Sequence, residues 1–216
     1  MSTNRNSTSN AGAHVPSVYL VDDDAAIRDA IAFLLDTVSI ACQTFTSARH
    51  FLDAYDQRPG VLILDVRMPQ MSGLELQEQL LSEGVTNLAI IFISGHGDIP
   101  MAVEAMKRGA VDFLPKPFRD QELLDRVQMA LEECRDDQRR AGDVLDIRQR
   151  IESLTPREQQ VMGMVAEGKA NKVVALDLDI SQRTVEIHRT HMMEKMGVRN
   201  LANLVRSLHQ VGYFEN

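Results

Sequence analysis

The chain has 216 residues, enough for one large domain or two small ones, and with 44% hydrophobic residues it can bury sizeable cores. It holds no apolar run of about 18 residues, which excludes a membrane-spanning helix. A net charge of −8 argues against a uniformly basic nucleic-acid binder, but the charge is uneven: from Leu154 onward eight Lys/Arg stand against seven Asp/Glu, leaving fifteen against twenty-four before it. An acidic front and a near-neutral rear with clustered Arg, Lys and His suggest two modules with different partners.

Residues 1–15 are rich in Ser, Thr and Asn without an apolar h-region, and they read as a disordered tail, not a signal peptide. Ser17-Val18-Tyr19-Leu20-Val21 predicts a strand that ends in Asp22-Asp23-Asp24. Apolar residues at Ile27, Ala30, Ile31, Leu34 and Leu35 predict a helix over 25–38, capped by Asp24. A strand over 40–45 follows, then a helix from the Ser47 cap to about Tyr55. Arg58-Pro59-Gly60 turns into Val61-Leu62-Ile63-Leu64-Asp65, an aliphatic run expected to be buried on both faces of a parallel sheet. Asp65 ends that strand, either as an acid that opens a turn or as a functional side chain.

A helix over 74–83 stops near Gly84, and a strand over 88–93 ends at Ser94 before Gly95-His96-Gly97-Asp98. A helix over 99–108 is closed by Gly109, and a strand over 111–114 ends in Pro115-Lys116-Pro117. Strands alternating with helices predict a parallel (βα)5 sheet, covered on both faces. From 120 to about 149 the residues are nearly all helix formers, with Gly142 the one expected break; this segment is either a self-associating helix or a charged, solvated connector. The rear predicts four helices: one capped at Thr155-Pro156-Arg157-Glu158, a short one over 171–178, one from the Ser181 cap to about Met196, and one over 201–210. The two cysteines, Cys42 and Cys134, match no metal or redox spacing and suggest a reduced, cytoplasmic setting.

Asp22/Asp23, Asp65, Ser94 and Lys116 fall at strand ends, and parallel strands bring those ends to one edge. Carboxylates crowded together repel and call for a cation, and oxygen-only ligands point to Mg²⁺. Asp65 is then the candidate nucleophile, Lys116 a fixed charge for a phosphoryl group, and Ser94 a hydrogen-bond donor to it. A cis Lys116–Pro117 peptide could aim the lysine inward. Arg67 and His96 flank the pocket, as modulators of phosphate loss or as plain loop residues.

These motifs resemble the receiver domain of two-component response regulators: Leu20-Val21-Asp22-Asp23-Asp24, Leu64-Asp65-Val66-Arg67-Met68-Pro69 with Gly73, Ile93-Ser94-Gly95, and Leu114-Pro115-Lys116-Pro117-Phe118. The resemblance implies a flavodoxin-like doubly wound fold and phosphorylation of Asp65 by a histidine kinase. It implies Mg²⁺ held by Asp23, Asp65 and the backbone carbonyl of Arg67, with Asp22 helping through water. It also implies a switch in which Ser94 turns toward the phosphate, Phe113 swings inward, and the face built by the fourth helix, fifth strand and fifth helix dimerises. Phe113 is equally readable as a core aromatic, and Met101, Val103, Ala105 and Met106 as core or as dimer face.

In the rear, Asn171 to Ile180 and Ser181 to Arg189 have the spacing of a helix-turn-helix, with Ala175 permitting close crossing and Val185 as the plug; a plain helical hairpin is the alternative. Leu154-Thr155-Pro156-Arg157-Glu158, Ala166 to Lys172, Thr184 to His188 and Lys195-Met196-Gly197-Val198 make this stretch similar to the LuxR-type DNA-binding domain, so the whole resembles a FixJ-like transcriptional regulator. Arg183, Glu186, Ile187 and Thr190, with Arg189 beside them, are the expected base readers; Lys172, Ser181, Thr184 and Lys195 suit phosphates. Glu186 stands where this domain type often has Lys, and it could accept from cytosine N4 while repelling the backbone. One copy should therefore bind weakly and two adjacent copies well.

The expected division is a tail over 1–15, a receiver over 16–133, a helical linker over 134–150 and an all-α DNA-binding domain over 151–216. The expected partners are a sensor histidine kinase, double-stranded promoter DNA, a second copy of the chain once phosphorylated, and RNA polymerase as a further candidate, with no membrane. The phosphoacceptor reading expects no enzyme beyond slow self-dephosphorylation. Two other classes compete with it. A haloacid-dehalogenase-type phosphohydrolase would need a second Asp where Arg67 stands, and a protein-binding adaptor would use the helical module on a partner other than DNA.

Overall fold

The computed structural model describes residues 15–95 and 99–215; the predicted tail over 1–14 and His96 lie outside them. The chain divides into two compact units, Met1–Gln138 and Arg139–Asn216.

In the first unit, β1 (Ser17–Val21), β2 (Cys42–Phe45), β3 (Gly60–Asp65), β4 (Leu88–Ser94) and β5 (Asp112–Pro115) form a parallel sheet in the order β2-β1-β3-β4-β5. This is the flavodoxin-like doubly wound order, with the reversal falling between β1 and β3. The central β3 is buried at every position, as its unbroken aliphatic run requires. The second strand is shorter at its start than its apolar pattern predicted, because Ile40 is spent in the turn out of the first helix, its N–H bonded to Leu35 O.

α1 (Ala25–Thr37), α2 (Ala48–Ala54), α3 (Gly73–Ser82), α4 (Ile99–Lys107) and α5 (Asp120–Glu152) connect and cover the sheet. Side chains alternate along each strand, so two cores result: Tyr19, Leu62, Leu64 and Phe92 pack on one face, Leu20, Ile63, Ile91 and Ile93 on the other. Asp24 and Ser47 cap α1 and α2 as expected. Ser72 and Glu75 form a reciprocal capping box at the start of α3.

α5 runs unbroken for 33 residues, through Gly142 and across the boundary between the units. In its first part Leu123, Leu124, Val127, Ala130 and Leu131 are buried against the sheet. Ile147, which the sequence places in a linker, is buried instead in the core of the second unit.

That second unit adds α6 (Pro156–Ala166), α7 (Asn171–Asp177), α8 (Gln182–Met196) and α9 (Leu201–Gln210). Val161, Val174, Val185, Met192, Leu204 and Leu208 fill its core. α7 and α8 are joined by a tight turn in which Asp179 takes a left-handed conformation (φ 53°) and Ile180 N–H reaches back to Ala175 O at 3.0 Å. Val185 is fully buried and Ala175 nearly so, the packing that a helix-turn-helix pair needs.

Candidate functional site

At the carboxyl edge of the sheet, Lys116 Nζ lies 2.7 Å from Asp22 Oδ2 and 2.7 Å from Asp65 Oδ1. The three residues leave the ends of β1, β3 and β5, so the parallel sheet itself makes the meeting. Asp22 is 1% exposed and Asp65 5%. Each carboxylate is steadied by local backbone: Asp24 N–H donates to Asp22 Oδ1 and Arg67 N–H to Asp65 Oδ2, both at 2.8 Å. Arg28 donates to the Asp22 carbonyl at 2.7 Å, a contact that sequence reasoning missed because its only local signal is a basic residue in the first turn of α1.

Lys116 is anchored in turn by its own backbone, whose N–H donates to the Ser94 carbonyl at 2.6 Å. The Lys116–Pro117 peptide is cis. The buried Ser94 thus sits beside Lys116 at the same edge. Gly73 N–H bonds to Val66 O at 3.0 Å, and a Cβ at Gly73 would stand 2.3 Å from the Asp65 carbonyl. Only glycine lets α3 start this close to the strand end.

Burial raises the Asp65 pKa, and the charge of Asp22 adds to the rise; the Lys116 ammonium and the Arg67 N–H oppose it without cancelling it. For Lys116 burial acts to lower the pKa, but the two carboxylates outweigh it and hold the ammonium charged. One cation between two buried carboxylates leaves the pocket with an excess of negative charge; Asp23, next to Asp22 in sequence, is exposed.

No group of three or more His, Cys, Asp or Glu converges as a metal cage among the described residues. Mg²⁺ does not need one: it keeps several waters and is held by one or two carboxylates together with a substrate phosphate. Hard oxygen donors in an anionic pocket fit that ion and no softer metal. Phe113 is half-buried, its ring centroid 6.3 Å from that of Phe92 on the neighbouring strand.

In the helical unit, Ser181 caps α8 by accepting from Thr184 N–H at 3.0 Å, and its hydroxyl lies 2.8 Å from the Thr184 hydroxyl. Val185, Met192 and Met196 make the buried face of α8. Arg183, Glu186, Ile187 and Thr190 fall at helical spacing on the opposite, exposed stripe. Lys172 at the start of α7 is also exposed.

Two expected DNA contacts are engaged elsewhere. Arg189 is half-buried and donates to Asn171 Oδ1 at 3.0 Å. Lys195 pairs with the buried Glu158 at 2.7 Å, because its position on the last turn of α8 faces the start of α6. Thr190 keeps its exposed position while its hydroxyl donates to Glu186 O at 2.9 Å.

Comparison with known proteins agrees with this geometry. Residues 18–128 match the response regulator receiver domain, and residues 152–208 match the bacterial regulatory proteins of the luxR family. The chain is 47% identical over 190 residues to the response regulator protein TodT of Pseudomonas putida F1, covering 88% of this chain and 83% of that one. It is 46% identical over 191 residues to the transcriptional regulatory protein FixJ of Rhizobium meliloti, covering 88% and 93%. Among solved structures, the response regulator StyR superposes with a TM-score of 0.79 at 44% identity, covering 91% of this chain and all of that one. Full-length FixJ from B. japonicum gives 0.57 at 41% identity, covering 92% and 98%.

Proposed function

Since this chain belongs to the two-component response regulators that join a receiver domain to a LuxR-type DNA-binding domain, we propose that a sensor histidine kinase phosphorylates it on Asp65, and that the phosphorylated chain dimerises through its receiver and binds promoter DNA to regulate transcription. The observation that carries this reading is the Lys116 ammonium at 2.7 Å from both Asp22 and Asp65. A buried carboxylate beside a fixed cation is placed to attack phosphorus and to have the arriving charge balanced.

The Asp65 oxygen forms a bond to phosphorus as the bond to the kinase histidine nitrogen breaks. Lys116 neutralises the transferred oxygens, and the Ser94 hydroxyl donates to one of them. Receivers of this kind generally use Mg²⁺, which here would be held by Asp23, Asp65 and the Arg67 carbonyl, with Asp22 acting through water, and would neutralise charge on the phosphoryl group. Phe113 then follows Ser94 inward, a local charge change that biases a packing with two arrangements. Regulators of this family are not enzymes in general, and any loss of phosphate is slow self-dephosphorylation.

The working division is a receiver over 16–133, a helical connector over 134–150 whose Ile147 packs into the helical unit, and a DNA-binding domain over 151–216. On DNA, Arg183, Glu186, Ile187 and Thr190 read base edges from the exposed stripe of α8, while Lys172, Ser181 and Thr184 meet phosphates. Arg189 and Lys195 would have to leave Asn171 and Glu158 to join them. With near-neutral charge one copy binds weakly, and a dimer on two half-sites doubles the phosphate contacts. RNA polymerase is the further partner of such a bound dimer. Among the described residues no helix is long and apolar enough to cross a membrane, and we place the protein in the cytoplasm with its kinase's catalytic part.

The test compares wild type with Asp65→Asn. Acetyl phosphate with Mg²⁺ should add one phosphoryl group to the wild type alone, seen in intact mass, and genome-wide binding should collapse in the variant. An unmodified wild-type chain, or equal modification of the variant, rejects the reading.

A further inference from the structure

Two groups that base reading does not use close around the far end of α8. Arg150, in the last turn of α5, donates from Nη1 to the Met196 carbonyl at 2.9 Å, and its Nη2 is held by Asp146 at 2.7 Å. On another side, Lys195 Nζ lies 2.7 Å from Glu158 Oε2 and 3.4 Å from the Ser153 carbonyl. Residues 150–158 therefore form a socket for the last turn of the recognition helix.

Met196 ends α8, and the left-handed Gly197 (φ 65°) follows. Gly197 N–H and Val198 N–H return to carbonyls of Met193 and Glu194. The Met196 carbonyl is one of the acceptors that a helix end leaves over, and a guanidinium there satisfies it and complements the negative end of the helix dipole. Gly197 leaves the room for this: a Cβ on it would stand 2.1 Å from Arg150 Nη1.

We propose that Arg150 is a positioning residue for DNA reading: fixed by Asp146, it holds the end of α8 and so sets the pose in which Arg183, Glu186 and Ile187 meet the bases. The inference rests on the DNA-binding reading of α8. From Arg183 to Met196 the helix rises roughly 20 Å at 1.5 Å per residue, so a tilt of about ten degrees in the socket moves the reading end by about 3 Å. A base-edge hydrogen bond does not survive such a shift.

The experiment first selects a preferred duplex from random-sequence DNA, using the full-length wild type treated with acetyl phosphate and Mg²⁺. Affinity for that duplex and for a scrambled one is then measured for Arg150→Met, Arg150→Lys, Asp146→Asn and Arg148→Met. The last removes an equal charge from an exposed neighbour and serves as the control. Arg150→Met should match the control on scrambled DNA while its preferred-to-scrambled ratio falls on the order of tenfold, the loss of about one base contact. Arg150→Lys should recover part of that ratio, because an ammonium can still reach the carbonyl. Asp146→Asn should reproduce part of the loss, since it releases the guanidinium without touching α8, and it decides the matter if Arg150→Met does not fold. A ratio equal to the control overturns the proposal and leaves DNA reading intact. A wild type that selects no sequence overturns the DNA-binding reading itself, and this inference with it.

Discussion

Lys116 Nζ stands 2.7 Å from Asp65 Oδ1 although the two are 51 positions apart in sequence and β4 lies between their strands. The same nitrogen holds Asp22, so one ammonium keeps two buried carboxylates in a single pocket. Its removal should be costly: Lys116→Met is expected to destabilise the receiver by about 3 kcal/mol at pH 7, as when one partner leaves a buried pair. Urea unfolding measures it, and a midpoint equal to wild type would mean that the pair is not what holds the pocket.

Asp65 itself should work against the fold. Its folded pKa is raised, with burial the largest cause, so its contribution to stability is full below the ordinary value of 3.8 and is lost as pH rises through the folded value. Asp65→Asn should therefore be more stable than wild type at pH 7, with the difference shrinking as pH falls toward 3.8. Unfolding midpoints across that range check the sign; a variant less stable at neutral pH contradicts it.

Gly73→Ala drives a methyl toward the Asp65 carbonyl, 2.3 Å from the new Cβ, with Leu64 and Phe92 side chains at 3.0 and 3.1 Å. Backbone cannot yield as a flexible side chain can. A loss of about 1–3 kcal/mol is expected, as for overpacked cores, together with slower uptake of phosphate from acetyl phosphate. Thermal unfolding and a phosphorylation time course report the two effects.

Glu158 is held down to about 2 by the Lys195 ammonium first and by the Thr155 N–H next. A depressed carboxylate gives stability that is present above its ordinary 4.5 and lost as pH falls through about 2. Glu158→Gln keeps a side-chain oxygen for the Thr155 cap but loses the charge pair with Lys195, so it should cost about 1 kcal/mol at pH 7 and should flatten the acid side of the helical unit's stability curve. Helical circular dichroism in urea at several pH values is the measurement.

Glu186→Lys changes the charge on the exposed stripe of α8. Binding to arbitrary duplex should tighten, and the slope of log affinity against log salt should steepen by about 1. Preference for cytosine at one position should vanish if Glu186 accepts from its N4. Selection from random DNA with both proteins shows whether it does.

Strand ends carrying Asp22, Asp65, Ser94 and Lys116 were legible because the β3 run and the α/β alternation need only neighbouring residues to be read. The caps at Asp24, Ser47, Thr155 and Ser181 were legible for the same reason. Other features were not. Gly142 reads locally as a break, yet α5 continues through it: a glycine costs a helix about 1 kcal/mol, and buried anchors such as Leu131 and Ile147 on either side outweigh that. Lys195 and Arg189 read as free cations on a DNA-facing helix, but their partners lie 37 and 18 residues away in Glu158 and Asn171.

The sequence alone determined the type and order of the elements, since hydrophobic period, caps and turn residues act within a few positions along the chain. Only the tertiary structure decided which charges meet and which stay open: that depends on strand order and helix crossing, where a side chain's partner is set by distance in space and by how much water the packing has removed.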